Sequence, residues 1–148
     1  MKFSQENLAD VLEEMKPLIQ RHYDEIAHYK DIVLDPDYDQ YLKVAAAGII
    51  RLYCARTQDG ILVGYAVFFI KYNFHYKTSL QALQDIIFVD KERRGLGFMF
   101  IKYCDKKLTE EGVQLVYHHV KSKHNFGPAL ERIGYELVDL IYAKRLDR

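Results

Sequence analysis

The segment DIIFVDKERRGLGFMFIKYC, residues 85 to 104, constrains the fold more than any other. A strand-like run ends in charged residues, two glycines follow, and an amphipathic helix begins. After Gly112 the run VQLVYHHV is strand-like again. Strand, helix and strand over roughly residues 80 to 120 form a parallel, right-handed crossover.

The rest of the chain supplies antiparallel partners for that unit. IIRLYCART and ILVGYAVFFIKY are two β-like runs, and Asp59-Gly60 between them is a hairpin signal. The second run is apolar on both faces, which places it centrally in the sheet. LQALQDIIFV is the next strand. NFGPALERIG is a short helix ended by Gly134, and YELVDLIYAKRL reads as a final strand.

Toward the N-terminus, Leu8, Val11, Leu12, Met15, Leu18 and Ile19 recur at helical spacing over residues 4 to 28. Ser4 is a candidate cap, and Pro17 is expected to bend or split this helix. A second helix is expected from Asp35-Pro36 to Gly48. The whole is one α+β domain over residues 1–148. Its sheet is mixed and mostly antiparallel, with a helical segment at 1–48 and a core at 80–146.

Composition excludes some classes. Lys+Arg 21 balance Asp+Glu 21, so no overall field drives nonspecific nucleic-acid binding. Cys54 and Cys104 read as buried thiols in a reducing compartment. No apolar run reaches the length of a membrane span, and the first residues have no signal-peptide core. A soluble cytoplasmic protein is expected.

Arg94-Gly95-Leu96-Gly97 sits where strand meets helix. A helix N-terminus offers free N–H groups, and glycine lets the backbone approach an anion closely. Arg94 adds a positive fork, so the corner suits a diphosphate. A Walker loop needs Lys-Ser/Thr after its glycines, but Phe98-Met99-Phe100 follows Gly97. A dinucleotide fold needs a third glycine where Phe100 stands. An acyl-coenzyme A remains.

This arrangement resembles the GCN5-related N-acetyltransferases (GNAT). Their pattern, Arg/Gln-x-x-Gly-x-Gly/Ala, is matched at Arg94 and Gly97, while Met99 stands where Gly or Ala is usual. Asn125, and Ile133-Gly134-Tyr135 closing the short helix, are similar to the family's last segment. The resemblance covers roughly residues 50 to 146 and implies a reduced or absent first strand. It implies that the two parallel strands splay apart. The pantetheine arm of acetyl-CoA would then meet the backbone at Ile87, Phe88 and Val89. The amides of Arg94, Gly95, Leu96, Gly97, Phe98 and Met99 would meet its pyrophosphate, with Asn125 ordering coenzyme or substrate or capping its helix. NFHYKTSLQALQDIIFV also resembles small phage-borne members, for which a host protein, a modified base or an antibacterial amine is a plausible acceptor.

The implied activity is transfer of an acetyl group to a primary amine by direct attack, without a cysteine intermediate. An amine with a pKa of ~10.4 is neutral only about once in 10³ at pH 7, so a base is needed. Asp85 is the first candidate. It matches a family acidic position, shares a strand face with Ile87 and Val89, and is expected to be buried with a raised pKa. His75, in the loop before that strand, and His119, next to His118, are rivals, while His22 and Glu25 line the same mouth. No metal is expected. The family's usual tyrosine acid is replaced by Leu130, leaving Tyr135, Tyr117, Tyr103 or water. Two other readings remain. One is a catalytically silent CoA- or protein-binding module. The other is a nucleic-acid-modifying enzyme, with a patch from Lys71, Lys77, Lys121, Lys123 and Lys144.

Overall fold

A computed structural model describes residues 1–148. The strands are β1 (Lys2–Glu6), β2 (Ile50–Arg56), β3 (Leu62–Tyr72), β4 (Leu80–Val89) and β5 (Leu115–Tyr117). The helices are α1 (Leu8–Ile26), α2 (Tyr38–Ala46), α3 (Gly97–Glu110) and α4 (Gly127–Glu131). The sheet order is β1-β2-β3-β4-β5, antiparallel except for the parallel pair β4–β5. No helix is long and apolar enough to cross a membrane.

Period-2 alternation with both faces apolar gives two cores. Leu52 and Cys54 of β2, with Tyr65 and Val67 of β3, meet Leu8, Val11, Met15, Leu18 and Ile19 of α1. The intervening Tyr53, Ala66 and Phe68 meet Phe100, Cys104 and Leu108 of α3. Helices thus cover both sides of the sheet, and β3 is central as its sequence implied. Burial holds the thiols of Cys54 and Cys104 well above the usual range, so neither is an activated nucleophile.

Several sequence expectations are corrected. Residues 2–6 are a strand, not the start of a helix, and α1 begins after Asn7. Phe3 explains this: its ring packs 5.3 Å from Phe100 on the α3 face. Arg56 then clamps the strand, donating to both carboxylate oxygens of Glu6 at 2.9 Å and to Glu14 of α1. Pro17 lies inside α1 without splitting it, because one apolar stripe seats both halves on the sheet. Asp37, not Asp35, caps α2 through Gln40 N. The final strand does not form: residues after Tyr135 make no backbone–backbone hydrogen bond. The first strand that the family resemblance left reduced or absent is present and paired.

At Gly64 of β3, a Cβ would stand 2.9 Å from the carbonyl oxygen of Phe88 on β4. That oxygen belongs to the ladder and cannot retreat cheaply. Gly64→Ala is expected to cost about 1–2 kcal/mol despite the entropy gained by removing a strand glycine. A urea denaturation midpoint checks it.

Candidate active site

The parallel pair does not run far. β4 and β5 are in register only at Gln81–Leu115, Ala82–Val116 and Leu83–Tyr117. From Gln84 to Val89, β4 has no neighbour on that side, so the strands part as the family resemblance implied.

Just past the last rung, β4 carries a bulge. Val67 pairs with Ile86 and Phe68 with Gln84, so Asp85 is the extra residue without a β3 partner. A bulge bends its strand and re-aims one side chain. Gln84 lies toward α3, bonded to His118, whereas Ile86 and Phe88 pack toward α1 and α2. Asp85 points to the α1–α2 side, where Tyr41 Oη donates to its Oδ2 at 2.6 Å. Two expectations therefore change. Asp85 is exposed rather than buried, and it lies on the face opposite Ile87 and Val89, which pack toward α3.

Tyr41 is the residue that sequence reasoning missed. Tyr38 and Tyr41, one turn apart in α2, were the available signal. Burial first, and the Asp85 carboxylate second, hold the Tyr41 phenol above its ordinary range. It therefore keeps its proton and acts as donor. Asp85 Oδ1 makes no hydrogen bond within the chain.

The corner beyond Val89 is open. A 3-10 turn, Lys91–Leu96, leads into α3. A Cβ at Gly95 would meet nothing within 4 Å, and one at Gly97 would meet only Val89 Cγ2, at 4.0 Å. Leu96 is half-buried, while Phe98 and Met99 are exposed. Arg94 is engaged, donating to Glu25 of α1 at 2.7 Å, and Arg21 likewise holds Asp90. The His22 ring lies 5.3 Å from Phe88. Burial brings its pKa down to about 4, against the pull of Glu25, and Arg94, His124 and Lys121 add to the fall. His124 and Lys121, of the turn at residues 121–124, thus lie near enough to α1 to act on His22, and the open glycine corner with these basic groups is the part of the chain that could hold an anion.

The other named residues scatter. Ile87, Phe88 and Val89 lie on the stretch of β4 that has no strand partner on the β5 side. His75 is exposed in the β3–β4 loop, before Leu80 opens β4, and the five residues of strand from Leu80 to Asp85 span roughly 17 Å, away from the corner. His118 is half-buried on the α3 side, against Phe68, and His119 is exposed just past β5. Asn125 Oδ1 accepts from Gly127 N at 2.8 Å, ordering the turn into α4. Leu130 is core, at 6% exposure. Tyr135 Oη is bonded to Asp105 at 2.6 Å, and Tyr103 packs on Phe3 and Tyr53. Lys71 lies at the end of β3 and Lys77 in the β3–β4 loop, Lys121 and Lys123 follow β5, and Lys144 lies in the stretch after Tyr135, so the five lysines come from three separate segments.

No family model matches the sequence, and no curated protein does. Solved structures do match in shape. A ribosomal-protein-alanine N-acetyltransferase from Brucella melitensis biovar Abortus 2308 is 21% identical, with 99% of this chain and 100% of that one covered and a TM-score of 0.70. For a glucosamine-6-phosphate N-acetyltransferase from Arabidopsis thaliana the values are 14%, 99%, 100% and 0.70. For a predicted acetyltransferase with acetyl-CoA from Clostridium acetobutylicum they are 12%, 98%, 96% and 0.68. Single domain, mixed five-stranded sheet, parted parallel pair and glycine corner together give this chain the GNAT fold of the GCN5-related N-acetyltransferases.

Proposed function

We propose that this protein transfers an acetyl group from acetyl-CoA to a primary amine. The observation that carries the reading is the parting of β4 and β5 after Leu83–Tyr117, opening onto the unobstructed glycine corner. Similar folds in an acetyl-CoA complex and in N-acetyltransferases acting on a protein alanine and on an amino sugar phosphate support it. The phage-type likeness of residues 73–89 keeps a host protein, a modified base and an antibacterial amine among the acceptors to assay.

Backbone groups from Ile87 to Val89 would hold the pantetheine, and the amides from Arg94 to Met99 the pyrophosphate. Acetyl-CoA supplies an activated thioester. Asp85 takes the proton from the incoming ammonium through Oδ1, while Tyr41 fixes Oδ2. With Leu130 in the core and Tyr135 tied to Asp105, Tyr117 at the last rung of the parallel pair is the remaining tyrosine to protonate the thiolate.

The acetyl-CoA reading is tested by melting. At about 100 times its dissociation constant, acetyl-CoA should stabilise the fold by ~2.7 kcal/mol. No shift with acetyl-CoA or CoA would end it. A panel of amines assayed for thiol release then separates an enzyme from a silent CoA-binding module, the second reading, which the buried Leu130 favours.

A further inference from the structure

A groove opens where β4 and β5 begin, at the opposite end of β4 from the glycine corner. It encloses about 470 Å³, within the range of small-molecule sites, and is lined by Tyr76, Thr78, Ser79, Gln81, Gln114 and Leu115. Gln81 and Leu115 are the first rung of the parallel pair, and Gln114 N donates to Leu80 O at 2.8 Å, so this side is fixed by the sheet. The β3–β4 loop makes the other side and is closed on itself. Ser79 N donates to Tyr76 O at 2.8 Å, and Asn73 N to Ser79 O at 3.2 Å. Ser79 and Gln81 are polar, yet only 9% and 7% exposed. Asn73 Nδ2 donates to Gln81 Oε1 at 3.0 Å, and Gln81 Nε2 donates to Ser79 Oγ at 3.1 Å. These bonds hold the buried amide still and leave its second N–H and the Ser79 O–H uncommitted.

We propose that this groove binds a neutral saccharide. Its lining selects that chemistry. No charged side chain lines it, so an ion gains no partner there. Tyr76, Thr78, Ser79, Gln81 and Gln114 carry groups that both donate and accept, as the hydroxyls of a sugar do. The Tyr76 and Leu115 side chains, 67% and 42% exposed, supply apolar surface for the C–H face of a sugar ring. A nucleobase held by stacking on both faces needs two aromatic walls, and Tyr76 is the one aromatic residue in the lining. Gln81 lies on the sheet face opposite Ala82, which packs toward α3, and so on the same face as Asp85. The four residues between them span roughly 13 Å, so a sugar in the groove leaves the Asp85 carboxylate free. The inference stands whether or not the chain transfers acetyl groups.

Amide NMR of the full chain tests it. Maltose, cellobiose, lactose and N,N′-diacetylchitobiose are titrated singly to about 50 mM. At least one should shift the side-chain amide signals of Gln81 and Gln114 saturably, with a dissociation constant on the order of millimolar. Tyr76→Ala should raise that constant about tenfold, and Tyr76→Phe, which keeps the ring, should fall between it and wild type. Gln114→Ala, followed on the Gln81 signal, should raise the constant about threefold. Tyr76 and Gln114 are exposed, so melting of these variants should stay at wild-type values. Inorganic phosphate at the same concentration should leave both amide signals in place. No saturable shift with any of the four sugars, an undiminished affinity in Tyr76→Ala, or an equal shift with phosphate would each overturn the proposal.

Discussion

Asp85→Asn is expected to lower acetyl transfer by about 10²- to 10³-fold while leaving the melting shift given by acetyl-CoA unchanged. The substitution keeps the shape of the side chain, and the Asn carbonyl can still accept from Tyr41 Oη. Only the ability to take a proton is lost. Because residue 85 is exposed, stability should change by no more than about 0.5 kcal/mol. Tyr41→Phe should have a smaller effect, about tenfold, since it frees the carboxylate to rotate without removing it. Steady-state kinetics at saturating acetyl-CoA, with melting as the binding control, separates these outcomes. Wild-type turnover in Asp85→Asn would remove it as the base.

Acid should weaken the fold well before carboxylates protonate. His118 is half-buried against Phe68, Phe126 and Tyr135, and the loss of solvent around its ring lowers its pKa to about 4. Its Nδ1 meets Gln84 Oε1 at 3.0 Å, and its Nε2 has no partner. In the unfolded chain the same ring titrates near 6.5. Between those values the unfolded state binds the extra proton, so stability is full above pH ~6.5 and falls as pH drops toward 4. For His118 the loss is on the order of 3 kcal/mol, and His22, less enclosed, adds a smaller amount with the same sign. Below about pH 4.5, Glu6 and Glu14, whose pKa values Arg56 holds low, lose stability in turn. Urea midpoints from pH 7 to 4 should decline in wild type and decline less in His118→Phe. Equal slopes in the two proteins would refute this account.

The parts of the fold that the sequence disclosed are those with a local signature. The doubly apolar run of β3, the Asp59-Gly60 turn and the glycine corner each carry their geometry in adjacent residues. Gly60 has a positive φ of 87°, as its turn requires. What stayed hidden depends on partners distant in sequence. The β1 strand is short and mostly polar, and is held by the Arg56 fork fifty residues away. Tyr41 reaches Asp85 across forty-four positions, which no periodicity in α2 announces. The outward turn of Asp85 follows from a mismatch between two strands, not from either alone. Residues 135–146 have a strand's pattern, but no strand of the same chain pairs with them.

The single extra residue at position 85 serves two ends at once. It turns a carboxylate toward α2, and it bends β4 where its contact with β5 has just stopped. Deleting one residue there would re-phase the downstream ladder, draw the carboxylate out of reach and let the slot close. A substitution at position 85 therefore leaves the parting of β4 from β5 as it is, whereas a deletion there takes away the carboxylate and the opening together.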